Sequence, residues 1–184
     1  MLIKDETKII EALTKAAPGI EKYQKIMDLV HQVDVSKNQE FQKMFNGFYR
    51  VRQRTPQFYE TFYSFMERNK VNPPSFEKTV TYIHEELDRF EASFSSKLVA
   101  TLNPAMPIWD SVVLKNFGFK KPAYYKKNRL KDVISIYTDL INKYDTILSQ
   151  DEGQLIIKVF NKVYPDSKIT DIKKVDFVYW QIRD

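Results

Sequence analysis

The sequence predicts an all-α fold, and three observations support this prediction. Apolar residues recur at spacings of three and four along most of the 184-residue chain, which is typical of amphipathic helices. Only 4 residues are glycine, which argues against the tight turns of hairpin-rich β folds. No stretch of useful length alternates with period two. We therefore expect residues 1–184 to form a single helical domain of eight or nine helices.

The first half of the chain is divided into helices by prolines and capping residues. Pro18-Gly19 ends the first helix, and Pro56 lies in the first turn of the fourth, where proline is common. Ser75 is a good N-cap for the fifth, whose pattern runs to Asn103-Pro104 with a break near Ser93. The five helices begin near residues 4, 20, 38, 56 and 76.

The second half shows four more helical patterns. A short helix begins at Asp110 or Ser111 and ends at Gly118, because glycine suits the position that follows a helix. A long helix follows from about residue 128 to 149. The last two are capped by Asp151 and Thr170.

Composition excludes several classes of site. The chain has no cysteine, so disulfides, thiolate metal sites and cysteine nucleophiles are absent, and it has only 2 histidines. The sequence therefore predicts no cofactor and no metal site. No stretch approaches 18 apolar residues, and the charged start lacks a signal core, so we expect a cytoplasmic protein without a membrane span. The sequence leaves the oligomeric state open.

Positive charge is concentrated in one segment, residues 115–131, which we call the basic segment. It contains 7 basic and no acidic residues, whereas the net charge of the whole chain is +5. Aromatic residues lie among the basic ones, at Phe117, Phe119, Tyr124 and Tyr125. Lysines suit phosphate contacts and aromatics can stack on unpaired bases, so the pattern indicates nucleic-acid binding. The alternative is a solvated loop whose aromatics turn into the core.

A second feature is the stretch Pro107-Ile108-Trp109-Asp110-Ser111-Val112-Val113, followed by Phe117-Gly118-Phe119. In the simplest interpretation Asp110 is an N-cap whose carboxylate accepts from backbone N–H groups two and three residues on, worth about 1 kcal/mol. Trp109 then packs in the interior.

This stretch also resembles the surroundings of the catalytic aspartate in helix-hairpin-helix DNA glycosylases, over about 30 residues. In that family the aspartate opens a helix and faces the cleft that takes a flipped-out base. The chain is also similar to uncharacterised bacterial helical proteins with the pattern Lys-Leu-x-x-Thr-x-Asn-Pro, here from Lys97, and Pro-x-Trp-Asp, here from Pro107. The resemblance implies a glycosylase-like fold, with Asp110 as the catalytic residue for N-glycosidic bond hydrolysis.

The function predicted from the sequence is nucleic-acid binding, with DNA as the partner and a divergent or degenerate base-excision site as its sharper form. The alternative is a non-enzymatic protein-interaction module that uses exposed aromatics. Candidate substrate-binding residues are Trp109, Lys97, Tyr124 and Tyr125. Candidate nucleic-acid-binding residues are Lys115, Lys120, Lys121, Lys126, Lys127 and Arg129.

Overall fold

The structure is a computed structural model that describes residues 3, 5–123 and 125–182. These residues form helices and connections with no β-strand, which confirms the all-α prediction. None of the described helices is long and apolar enough to cross a membrane. The helices are α1 (Glu6–Leu29), α2 (Gln39–Tyr49), α3 (Pro56–Arg68), α4 (Phe76–Leu87), α5 (Ala92–Leu102), α6 (Ser111–Asn116), α7 (Arg129–Ser149), α8 (Asp151–Val163) and α9 (Asp171–Gln181).

The chain divides into two compact units, and the division falls within α1 and after α5. Unit 1 joins Met1–Pro18 with Pro104–Asp184. Unit 2 is Gly19–Asn103. That residues 1–184 act as one domain stays a prediction.

The prediction that Pro18-Gly19 ends a helix was wrong, because α1 continues through both residues. Proline in a helix interior costs about 3 kcal/mol. Burial of one large apolar side chain contributes about 1.5–3 kcal/mol, so a continuous buried stripe outweighs that cost. The stripe runs on both sides of the proline at helical spacing: Ile9, Leu13, Ala16, Ile20, Tyr23 and Ile26.

Unit 2 has a core rich in aromatic rings. The ring of Phe45 lies 4.6 Å from that of Tyr49 and 5.7 Å from that of Phe62, measured between centroids. Side-chain oxygens of Asn38, Thr55 and Ser75 accept backbone N–H groups at the starts of α2, α3 and α4. The N-cap role predicted for Ser75 is confirmed. Helix α4 packs against both α3 and α5.

The connection between α4 and α5 corrects a second boundary. The sequence places a break near Ser93, whereas α4 ends at Leu87 and Asp88 adopts a left-handed conformation with φ 50°. The chain then enters α5 at Ala92. Aspartate tolerates this conformation better than most residues, because its short polar side chain bonds locally. No glycine is therefore needed at the turn.

Unit 1 is organised around α9, which packs against α6, α7 and α8. Residues 172–179 are buried on every side of the helix as a result. Helices α7 and α8 meet at Gly153, where a Cβ atom would lie 2.1 Å from the carbonyl oxygen of Ile147. Only glycine fits such an approach of backbone to backbone. The basic segment and Asp110 both belong to this unit.

Candidate nucleic-acid interface

The basic segment connects α6 to α7 and is fixed at its start by the end of α6. Gly118 has φ 79°, its N–H donates to the carbonyl of Lys115 at 3.0 Å, and Phe119 N–H donates to the carbonyl of Leu114 at 2.8 Å. This pair of bonds is a Schellman motif, which requires a left-handed residue at the glycine position. The prediction that this helix ends at Gly118 is confirmed.

Phe117 holds the segment against the core of unit 1. Its ring lies 4.7 Å from that of Tyr179 and 5.3 Å from that of Tyr144, both in edge-on geometry. Such pairs add about 0.5–1.5 kcal/mol beyond burial. Phe119 is half-buried. Phe117 therefore follows the alternative in which an aromatic turns inward, and serves as an anchor.

The lysines of the basic segment face solvent. Lys115, Lys120, Lys121, Lys126 and Lys127 are all exposed. Lys126 Nζ lies 2.6 Å from Oδ2 of Asp132, and the other four form no ion pair with a described residue. Arg129, at the start of α7, is half-buried and differs from them in this respect. The segment thus presents a run of exposed lysines, and among the described residues the Asp132 carboxylate pairs with one of them, Lys126.

The structure describes one of the two tyrosines of the basic segment. Tyr125 is 91% exposed. Tyr124 lies outside the described residues. Backbone bonds flank Tyr125: Lys126 N–H donates to the Ala123 carbonyl at 3.2 Å, and Arg129 N–H donates to the Lys126 carbonyl at 3.1 Å. Tyr125 is therefore presented to solvent from a hydrogen-bonded turn.

Asp110 is the N-cap of α6. Its Oδ1 accepts from the N–H groups of Val112 at 2.7 Å and Val113 at 3.4 Å. The side chain is half-buried, and Oδ2 accepts no hydrogen bond from a described residue. The capping interpretation is confirmed, and one carboxylate oxygen remains for other contacts.

Trp109 and Lys97, the other candidate substrate residues, are buried. Trp109 is 3% exposed in unit 1, so a base could stack on its ring only after the ring left the core. Lys97 belongs to unit 2, where Nζ donates to the Tyr49 carbonyl at 3.0 Å and lies 5.0 Å from the centre of the Phe94 ring. In the described conformation both side chains are engaged with their own unit. Their roles in substrate binding stay predictions.

A buried polar network in unit 1 was missed by the sequence analysis. The Tyr144 hydroxyl donates to Oδ1 of Asp176 at 2.8 Å, and Lys173 Nζ donates to Oδ2 of the same carboxylate at 2.5 Å. All three side chains are buried. A cavity of about 10 Å³, the space of about one water molecule, lies beside the Lys173–Asp176 pair and is lined by Met106, Pro107, Ile108 and Ile172 as well.

Burial dominates the electrostatics of this network. It raises the pKa of the Tyr144 phenol well above the ordinary value, and the Asp176 carboxylate raises it further. Tyr179 behaves alike: burial raises its pKa, and so does its hydrogen bond to Oε1 of Glu152, at 2.7 Å. One signal could have predicted a buried α9, namely apolar residues on nearly every side of that stretch.

The described residues contain no group of three or more histidine, aspartate and glutamate side chains that could hold a metal ion. Among the described residues, the candidate groups for binding or catalysis are therefore exposed cations, one exposed aromatic ring and a half-buried carboxylate. No family model matches the chain, and neither a curated protein nor a solved structure shows significant similarity to it.

Proposed function

We propose that the protein binds nucleic acid through the basic segment, with its exposed lysines contacting phosphates. The observation that supports this most is the exposure of Lys115, Lys120, Lys121, Lys126 and Lys127 in a stretch without an acidic residue. Lysine contacts to phosphate release condensed counterions, which drives binding and makes it strongly dependent on salt. Acidic residues elsewhere in the chain balance the remaining basic ones, so the cationic character is local.

The test is a salt titration of binding with charge-matched variants. Lys120→Gln with Lys121→Gln should weaken binding and reduce the slope of log affinity against log salt by about 1.5, since each lost phosphate contact removes about 0.7–0.9. The control is Lys22→Gln with Lys25→Gln, which removes the same charge from exposed positions of α1. The control should leave the slope unchanged.

Equal losses in both double variants would contradict the proposal, because net charge rather than the basic segment would then explain binding. A second outcome would favour a protein partner. If the chain binds no nucleic acid but captures a protein with an affinity that hardly changes with salt, the non-enzymatic interaction module replaces our proposal.

A base-excision site at Asp110 is the more specific candidate function. Support comes from the likeness to helix-hairpin-helix DNA glycosylases and from a half-buried carboxylate at a helix start, whose Oδ2 accepts no hydrogen bond from a described residue. Such a carboxylate would stabilise cationic sugar character, or activate water, as the N-glycosidic bond breaks. The assay is base release from DNA that carries damaged bases, compared between the unmodified chain and Asp110→Asn.

A further inference from the structure

We infer that the basic segment prefers unpaired nucleic acid, DNA or RNA, and that Tyr125 stacks on a base of that strand. The inference rests on the proposed function and adds the substrate class to it. It depends on the exposure of one aromatic ring, on the backbone that presents this ring, and on the cations beside it.

Tyr125 is the exception among the aromatic residues of the described chain. Every other described Phe, Tyr or Trp side chain is buried or half-buried, whereas Tyr125 is 91% exposed. Leaving this ring in water forgoes the roughly 1.5–3 kcal/mol that burial of a large apolar side chain provides. The fold therefore gains no stability from an aromatic residue at this position. A ligand that covers the ring would gain the free energy of its burial.

The backbone that carries Tyr125 is partly restrained by neighbouring residues. Pro122 fixes φ three residues before it, and the bond from Lys126 N–H to the Ala123 carbonyl closes the chain around it. A partly restrained backbone loses less conformational entropy on binding than a free chain does.

The lysines next to the ring make a nucleic-acid strand the matching occupant. Lys126 and Lys127 directly follow Tyr125, and Lys120 and Lys121 precede it, all exposed. Proteins that bind single strands combine such backbone-tracking cations with aromatic platforms, and each stacked base contributes about 1–3 kcal/mol. Bases in a duplex are stacked on each other and offer no free face to a side chain unless they are extruded.

The experiment measures fluorescence anisotropy with labelled oligonucleotides of about a dozen nucleotides, in the range of known single-strand sites. The probes are a polythymidine DNA, a polyuridine RNA and a DNA duplex of equal length. The unmodified chain should bind one or both single strands more tightly than the duplex. The single strand that binds more tightly shows whether DNA or RNA is the preferred ligand.

Tyr125→Ala should lower single-strand affinity about 5- to 150-fold, which corresponds to the loss of one stacked base. Tyr125→Phe should keep the affinity, because the ring face remains. Neither change should alter the salt slope, since the lysines are untouched. Val71→Ala is the matched control: it truncates another exposed apolar side chain, 89% exposed, in unit 2.

Tyr125 is exposed, so folding should not depend on it, and thermal unfolding of the variants checks this. If no probe binds, the proposed function fails. If single strand and duplex bind equally and Tyr125→Ala changes neither, nucleic-acid binding stands and the inference is overturned. A loss in Tyr125→Phe as large as that in Tyr125→Ala would also overturn it, because the hydroxyl rather than stacking would then be responsible.

Discussion

Lys126 and Asp132 form an ion pair, with Nζ 2.6 Å from Oδ2, at the point where the basic segment enters α7. The lysine side chain is 57% exposed and the aspartate 29%. Exposed pairs of this kind contribute about 0–1 kcal/mol, so the pair can open at little cost. Asp132 therefore competes with a phosphate for one of the lysines proposed to bind it.

Asp132→Asn should tighten nucleic-acid binding about two- to fivefold, because it frees Lys126 for a phosphate contact. The slope of log affinity against log salt should become steeper by about 0.7–0.9. Titrations at several salt concentrations measure both quantities.

Asp139→Asn is the control for this prediction. It removes the same charge from an exposed position of α7, where Asp139 pairs with no described residue. If both variants tighten binding equally, the effect comes from net charge and the competition by Asp132 is refuted.

Substitutions of Asp110 should separate capping from chemistry. Asp110→Ala removes the acceptor for the N–H groups of Val112 and Val113 and should lower the free energy of unfolding by about 0.5–2 kcal/mol. Asp110→Asn keeps an acceptor of equal cap quality and should stay near the original stability. Urea denaturation measures both.

Base release gives the second readout for the same pair. Asp110→Asn should abolish base release and leave DNA binding intact, because the amide cannot stabilise a cationic sugar as a carboxylate does. If release persists in Asp110→Asn, the catalytic assignment is wrong.

Replacement of two glycines by alanine should change the free energy of unfolding in opposite directions. Gly153→Ala places a methyl group 2.1 Å from the Ile147 carbonyl oxygen, so the backbone must shift, and we expect a loss of about 1–3 kcal/mol or more in unfolding free energy. Gly47→Ala, within α2, meets no atom within 4 Å and should add about 0.5–1 kcal/mol through helix propensity. Chemical denaturation of both variants tests the pair, and a gain at position 153 would contradict the described approach of α7 to α8.

The protein should lose stability in alkaline solution because of four tyrosines. Burial raises the pKa of Tyr63, Tyr137, Tyr144 and Tyr179 above the ordinary value of 10.0. The unfolded chain then releases these protons before the folded chain does. Their stabilisation is complete below about pH 10 and decreases above it, by about 1.4 kcal/mol per pH unit for each tyrosine.

Tyr137→Phe provides the matched measurement. It loses the hydrogen bond from the phenol to the Pro107 carbonyl, at 2.8 Å, and should cost about 1 kcal/mol at neutral pH. Above pH 10 the stability of this variant should fall less steeply than that of the unmodified chain, and the two slopes should differ by about 1.4 kcal/mol per pH unit. An unchanged alkaline slope in this variant would show that Tyr137 titrates in the folded state as it does in the unfolded one.

Several helix boundaries set by local chemistry were predictable from the sequence, but Asp151, expected to cap α8, is instead the first residue of that helix. Asn38, Ser75 and Gly118 occupy the capping positions expected of their residue types, because a cap depends on a few neighbouring backbone groups. Thr170 also precedes its helix as expected, yet its hydroxyl donates to the Pro104 carbonyl at 2.8 Å. A bond 66 residues away cannot be predicted from local sequence.

The continuous α1 marks the limit of local rules. Proline and glycine at positions 18 and 19 indicate a helix end, and only the burial of the stripe on both sides outweighs them. That burial depends on tertiary packing, which spacing along the chain does not specify.

The candidate site was predictable in part. The basic segment and the capping role of Asp110 follow from residue type and position. The outward Tyr125 and the inward Phe117 do not, because a loop has no period that assigns its side chains to core or solvent. The Tyr144–Asp176–Lys173 network was hidden because it joins two helices that are distant in sequence.

The anchoring of the basic segment separates the positions proposed to bind nucleic acid from those that hold the fold together. Phe117 and the turn at Gly118 fix one end, and the start of α7 at Arg129 fixes the other. Exposed positions such as 120, 121 and 127 lie between these fixed ends and pair with no described acidic residue. Substitutions there should change the proposed nucleic-acid binding, while the helices keep the same arrangement within the unit.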